Sequence, residues 1–88
     1  MPEEVREAIL RTDADILTLT SDRESLLHII TGKSAYYKGE ENALRREASR
    51  LRNKDRRAEK LQDAENFRIR HGEIIKLLNV IISKWPGR

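Results

Sequence analysis

The sequence predicts an all-α protein with a long first helix and two shorter helices. Apolar residues recur at steps of three, four or seven positions, which is the spacing of one stripe on an α-helix. No proline occurs between Pro2 and Pro86, so no residue of that type interrupts a helix in this stretch. With 88 residues, the chain is expected to form a single domain covering residues 1–88.

The first helix is expected to begin near residue 3 and to run to about residue 32. Pro2 suits a helix start because its missing N–H needs no partner there, and two glutamates follow it at the positive end of the helix dipole. The apolar stripe comprises Val5, Ala8, Ile9, Ile16, Leu19 and Leu26. Ser21 and Glu24 have the spacing of a capping box, but the stripe continues past them and favours one long helix.

A thinly apolar second helix is expected at residues 41–60. Gly32 and Gly39 can each end a helix, which places the first connection between residues 32 and 40. The helix then carries a stripe at Leu44, Ala48, Leu51, Ala58 and Leu61. Such a thin stripe indicates a helix that is mostly exposed to solvent.

The third helix is expected to follow a connection at residues 62–66 and to end near Lys84. One continuous helix over residues 41–84 would be about 65 Å long, which an 88-residue compact domain could not cover. Apolar residues surround the helix almost completely from residue 74 to residue 82, so this segment should be buried on several sides. Pro86 and Gly87 then stop it.

The composition excludes several classes of function. The chain has no cysteine and two isolated histidines, so we expect no thiol chemistry, no redox role and no metal site. No signal peptide or apolar run of about 20 residues is present, which predicts a cytoplasmic protein without a membrane partner. The net charge of +3 mildly favours an anionic partner. Because so small a chain buries a modest core, a second copy is expected to help cover it.

Arg6 and Arg23 form a candidate binding pair. At about 100° per residue, their separation of 17 residues leaves them about 100° apart around one helix axis and about 25 Å apart along it. One molecule therefore cannot direct both at one small ligand. In a dimer with antiparallel first helices, Arg6 of one copy can approach Arg23 of the other, which gives two symmetric sites.

This pattern resembles the all-helical class of chorismate mutases and the related isochorismate-pyruvate lyases. The first-helix pattern of that family is matched without a gap at Val5, Arg6, Ile9, Asp13, Ile16, Leu17, Leu19 and Arg23. The family also has an Arg-Glu pair 23 residues after the second arginine, where this chain has Arg46 and Glu47. The resemblance implies an intertwined homodimer of three-helix chains.

The resemblance also implies an isomerase of aromatic amino-acid biosynthesis that converts chorismate to prephenate by a [3,3] rearrangement. Arg6 and Arg23 would hold the two carboxylates of this small dianion, because guanidinium groups bind carboxylates in two-pronged contacts. Arg46 would support the anionic network and Glu47 would take the ring hydroxyl. Catalysis would need no cofactor and would come from locking the compact conformer and stabilising charge on the ether oxygen.

Two further contacts to the ether oxygen are implied by the resemblance. The lysine of the family aligns at Ser34, with Lys33 one residue earlier and Lys38 four residues later, and either lysine could supply the contact. The glutamine or glutamate near the end of the third helix aligns at Ser83, with Asn79 one turn earlier.

The basic segment 45–60 supports a different class of function. It contains Arg45, Arg46, Arg50, Arg52, Lys54, Arg56, Arg57 and Lys60. Clustered cations on a helix are typical of nucleic-acid binding, but acids are interleaved here and no aromatic residue is available for base stacking, so a nucleic acid is the less expected partner. The alternative is thus a non-catalytic helical dimer that binds a protein or a nucleic acid through this segment.

Overall fold

A computed structural model describes residues 1–87, which form a long antiparallel helical hairpin with a short helix against its base. The elements are α1 (Glu3–Asp13), a 3₁₀ helix (Ala14–Thr18), α2 (Arg23–Arg50) and α3 (Lys54–Lys84). The molecule measures 53 × 21 × 18 Å. The expectation of an all-α chain is confirmed over the described residues. None of the described helices is both long and apolar enough to cross a membrane.

The predicted single helix from residue 3 to residue 32 is wrong, because the chain leaves the α-helix after Asp13. Hydroxyl groups compete for the backbone here: Thr18 Oγ1 donates to the Asp15 carbonyl at 2.6 Å, and Thr20 Oγ1 accepts from the Asp22 N–H at 3.0 Å. Ile16 of the 3₁₀ helix still enters the core, which explains why the apolar stripe seemed continuous.

Asp22 starts α2 as its N-cap residue. Its carboxylate accepts hydrogen bonds from the Ser25 N–H and hydroxyl, each at 3.0 Å. The backbone hydrogen bond from Ser25 is the main cause that lowers the pKa of Asp22. The helix start that the capping-box spacing indicated does exist, but the capping side chain is one residue after Ser21.

The predicted connection at residues 32–40 is also wrong, because α2 runs through Gly32 and Gly39. Neither glycine has the positive φ that ends a helix. A glycine inside a helix costs about 1 kcal/mol relative to alanine, and packing of α2 along α3 offsets this cost.

The chain reverses at residues 51–53 and not at the predicted residues 62–66, which lie inside α3. Asn53 caps α3, since its side-chain oxygen accepts from the N–H groups of Asp55 at 2.9 Å and Arg56 at 3.1 Å. Arg57 Nε donates to the Leu51 carbonyl at 3.1 Å and satisfies the end of α2. This early reversal gives two helices of similar length.

The apolar core lies at one end of the hairpin, which we call the head (residues 1–33 and 73–87). Its buried members are Val5, Ala8, Ile9, Ile16, Leu26, Ile30, Ile74, Leu77 and Ile81. We call the remainder (residues 34–72) the stalk, and its buried apolar residues are Ala48 and Ala64. The head therefore has a three-helix core, whereas the stalk is a thinly packed helix pair.

Candidate functional site

Arg6 and Arg23 both lie in the head but have different surroundings. Arg6 is exposed on α1 and pairs with Glu3 at 3.8 Å. Arg23 Nε donates to the carbonyl of Trp85 at 2.6 Å, and its guanidinium also pairs with Glu24 at 2.7 Å. Trp85 is the C-cap residue of α3, so Arg23 satisfies a carbonyl at the end of that helix.

The two candidate lysines are each engaged by a carboxylate. Lys33 Nζ lies 3.2 Å from Asp13 Oδ2 and joins α2 to the end of α1. Lys38 Nζ lies 3.4 Å from Glu41 Oε1 within α2. Ser34, where the resemblance placed a lysine, donates its hydroxyl to the Thr31 carbonyl at 2.9 Å.

Arg46 and Glu47 lie in the stalk, far from Arg23. Because α2 is continuous, the 24 residues between Arg23 and Glu47 span about 36 Å. Glu47 pairs with Lys60 across the hairpin at 3.0 Å, and this hydrogen bond is the main cause that raises the pKa of Lys60. Arg46 is exposed to solvent.

A single chain therefore does not bring the predicted site residues to one cavity. The candidates in the head are Arg6, Arg23, Lys33, Asn79 and Ser83, and those in the stalk are Lys38, Arg46 and Glu47. Asn79 and Ser83 are both exposed on α3. Any site that combines the two groups needs more than one chain.

The strongest concentration of charge is the end of the stalk, which we call the tip (residues 45–60). Its eight Lys/Arg and three Asp/Glu residues give it a net charge of +5, so the other 72 residues sum to −2. Residues 52–59 are all exposed. Positive charge is thus concentrated at the end of the molecule opposite the head.

Most of the tip cations have no acidic partner. Arg45 pairs with Glu41 at 2.9 Å and with Glu65 at 3.6 Å, and Lys60 is held by Glu47 as described above. Within residues 1–87, no ion pair is formed by Arg46, Arg50, Arg52, Lys54, Arg56 or Arg57. Of these six, Arg57 is held by the Leu51 carbonyl. Five exposed cations are therefore available to an external anion.

The stalk next to the tip shows the opposite arrangement, in which charges neutralise each other. Glu41 is 5% exposed and accepts hydrogen bonds from Arg45 and Lys38. The Arg45 hydrogen bond is the largest cause that lowers the pKa of Glu41, while burial acts in the other direction. Glu65 likewise pairs with Arg68, whose hydrogen bond lowers the pKa of Glu65. These cations serve the helix pair itself.

The sequence located the tip cations but did not predict the turn that brings them together. The available signal was Asn53, an N-cap residue type followed by a long segment without proline. Among residues 1–87, no group of three or more histidine, aspartate or glutamate side chains is placed to hold a metal ion. Comparisons with protein-family models, with curated proteins and with solved structures found no significant match.

Proposed function

We propose that the chain is a non-catalytic binding module whose tip contacts the phosphate backbone of a nucleic acid. The observation that carries this proposal is the set of five exposed cations at one end of a 53 Å molecule that have neither an acidic partner nor, unlike Arg57, a backbone carbonyl partner. Nucleic-acid affinity comes chiefly from cations that replace counterions along the phosphates. A tip of net charge +5 on a narrow stalk presents such cations without interference from the acidic remainder.

The position of two of these cations also supports the proposal. Lys54 and Arg56 lie in the first turn of α3, where the positive end of the helix dipole disfavours cations. The stability of α3 therefore does not explain why cations occupy these two positions. An external polyanion would stabilise both side chains and the helix end together.

The residue types of the tip favour contacts to phosphate over contacts to bases. Four of the five unpaired cations are arginines, whose planar guanidinium groups fit phosphate oxygens in two-pronged contacts. The tip contains no aromatic residue on which a base could stack. Binding should therefore depend weakly on sequence and strongly on salt.

The test is fluorescence anisotropy of a short labelled DNA or RNA duplex titrated with the protein at low salt. A tip variant changes Arg46, Arg50, Arg52 and Arg56 to glutamine. Its matched control changes Arg6, Arg11, Lys76 and Lys84, which are exposed cations of the head, to glutamine and has the same net charge.

We expect the tip variant to bind at least about tenfold more weakly than the wild type, and the head variant to bind within about threefold of it. Equal losses in both variants would mean that net charge alone causes the binding. No binding of the wild-type chain to either duplex would refute the proposal.

We propose as a second candidate the chorismate mutase-like homodimeric isomerase, which the gapless spacing of Arg6, Arg23 and the Arg46–Glu47 pair favours. Two copies would have to supply the site together, and Arg23 would have to exchange the Trp85 carbonyl for a substrate carboxylate. Incubation with chorismate, followed by its ultraviolet absorbance, tests this function. Loss of absorbance that Arg23→Ala abolishes would support it, and no loss above background would exclude it.

A further inference from the structure

One face of the hairpin is covered by α1 in the head and is open along the stalk. α1 places Val5, Ala8 and Ile9 on this face and ends at Asp13. Two cavities of about 180 and 280 Å³ follow end to end, and Arg70 lines both. We call these two cavities together the groove. The cavity of about 180 Å³ is also lined by Thr12, Asp13, Tyr37, Glu73 and Ile74. The cavity of about 280 Å³ is also lined by Glu40, Leu44, Asp63, Asn66 and Phe67. The groove thus begins where α1 stops.

The groove has a mixed lining, in which the apolar and aromatic residues are Tyr37, Leu44, Phe67 and Ile74. Phe67 of α3 lies against Tyr36 and Tyr37 of α2, with ring centroids 6.3 and 6.2 Å apart. Tyr36 lies beside the groove and is 58% exposed. The groove therefore offers a few apolar contacts to a partner, in a part of the hairpin that buries little apolar area of its own.

The charge along the edges of this face changes sign where α1 ends. In the head, acids of α1 pair with cations of the hairpin: Asp13 with Lys33 at 3.2 Å and Glu4 with Lys84 at 3.4 Å.

Along the groove the edges instead carry Glu40, Asp63 and Glu73. None of these three carboxylates forms an ion pair within residues 1–87. The one cation among the lining residues, Arg70, lies over the Phe67 ring. A helix with acidic edges like those of α1 would be repelled there, whereas a basic helix would be attracted.

From these contacts we propose that the groove binds a basic amphipathic helix of a partner protein, laid along the stalk as a continuation of α1. The residues of α3 that line the groove run from Asp63 to Ile74, a length of about 17 Å, which corresponds to a partner helix of about 12 residues. Its apolar residues should follow the spacing of Val5, Ala8 and Ile9, with Lys or Arg on both sides of that stripe. This inference uses none of the five unpaired tip cations and stands independently of the proposed function.

The test uses two labelled synthetic helical peptides. The basic peptide has leucines at the spacing of Val5, Ala8 and Ile9, with lysines on both sides of the leucines. The acidic peptide is the same except that glutamates replace the lysines. Fluorescence anisotropy measures the affinity of each for the full chain. We expect the basic peptide to bind at least about tenfold more tightly. Equal affinity of the two peptides, or no binding of the basic one, would overturn the proposal.

Variants of the chain locate the binding surface. Glu40→Lys combined with Glu73→Lys should reverse the preference between the two peptides. The matched control, Glu3→Lys with Glu7→Lys on exposed α1 positions, should keep it. Leu44→Ala should weaken the basic peptide several-fold while the circular dichroism spectrum stays helical. An unchanged preference in the Glu40/Glu73 variant would place the peptide elsewhere and overturn the proposal.

Sedimentation velocity distinguishes the partner helix from a second copy of the chain, whose tip is itself basic. The proposal predicts that the wild-type chain does not self-associate through the groove. Self-association that Glu40→Lys with Glu73→Lys removes would identify the occupant as another copy and would contradict the partner assignment.

Discussion

At the scale of single residues, Arg23 holds the two ends of the hairpin together. Its Nε hydrogen bond to the Trp85 carbonyl joins the first residue of α2 to the residue that follows α3. A hydrogen bond that involves a charged group contributes about 1.5–3 kcal/mol. Arg23 therefore has a role in stability that does not depend on any ligand.

We predict that Arg23→Ala lowers the free energy of unfolding by about 1–3 kcal/mol, because it leaves the Trp85 carbonyl without its partner. Urea denaturation followed by the fluorescence of Trp85 measures the change. Arg46→Ala is the control and should change stability by less than about 0.5 kcal/mol, since Arg46 is exposed. Equal effects of the two substitutions would contradict the structural role of Arg23.

Glu41 makes the stability of the stalk depend on pH. Its folded-state pKa lies below the ordinary value of 4.5, chiefly because of the Arg45 hydrogen bond. A lowered folded-state pKa means that the charged carboxylate stabilises the fold above about pH 4.5, and that this contribution is lost as the pH falls through the folded-state pKa.

Urea denaturation at a series of pH values measures the free energy of unfolding of the wild type and of Glu41→Gln. The stability advantage of the wild type should be constant above about pH 4.5 and should shrink below it. An advantage that does not change with pH would show that Glu41 is not held as a charged partner of Arg45.

The sequence was informative about local side-chain roles but not about distant ones. Acidic and cap-forming residues act within one turn of their own position, as Asp22 and Asn53 do. The partner of Arg23 is 62 residues away in the chain and depends on where the hairpin turns. A helix-periodicity argument could therefore place Arg23 on a helix but could not find its partner.

At the scale of elements, the continuity of α2 is the feature that most changes the interpretation of the sequence. Gly32 and Gly39 are exposed positions in the helix, and a Cβ atom added at either would have no contact within 4 Å. Their replacement by alanine removes a propensity penalty without creating a clash.

We predict that Gly32→Ala combined with Gly39→Ala raises the free energy of unfolding by about 1–2 kcal/mol. Thermal or urea denaturation followed by circular dichroism checks this value. Gly32→Pro is the opposing control and should lower stability by about 3 kcal/mol or more, because it breaks the α2 hydrogen-bond ladder. Destabilisation by the double alanine variant would favour the predicted connection at residues 32–40 over a continuous helix.

The helix starts and stops show what the sequence could establish at this scale. The expected start near residue 3 and end near Lys84 are confirmed. The break expected at residues 32–40 was misplaced, because glycine is a permissive residue that ends a helix only when the chain adopts a positive φ there. The break expected at residues 62–66 contains no glycine and lies inside α3. Whether the helix ends or continues at a glycine depends on the packing of α2 against α3. This packing is a property of the tertiary structure.

At the scale of the whole molecule, apolar packing and charge are separated along the long axis. The head contains nine mutually packed buried apolar residues, whereas the stalk buries two alanines. Local opening requires least free energy where few apolar contacts are lost. The stalk is thus the less stable end, and it also carries the basic tip.

We predict that backbone amides of residues 40–66 exchange with deuterium faster than those of residues 26–30 and 74–81, which form the head core. Hydrogen exchange followed by mass spectrometry of peptic fragments measures the difference. Equal protection of both groups would mean that another molecule, such as a second copy of the chain, packs against the stalk and protects its amides.

The salt dependence of duplex binding tests the role of the tip most directly. Each phosphate that a cation neutralises contributes a slope of about −0.9 to the plot of log K against log salt concentration. With five unpaired cations at the tip, we predict a wild-type slope of about −4.5. The variant that changes Arg46, Arg50, Arg52 and Arg56 to glutamine should approach a slope of about −1, while the matched head variant should keep the wild-type slope. A slope that is the same in the wild type and the tip variant, or that falls equally in both variants, would contradict binding through the tip.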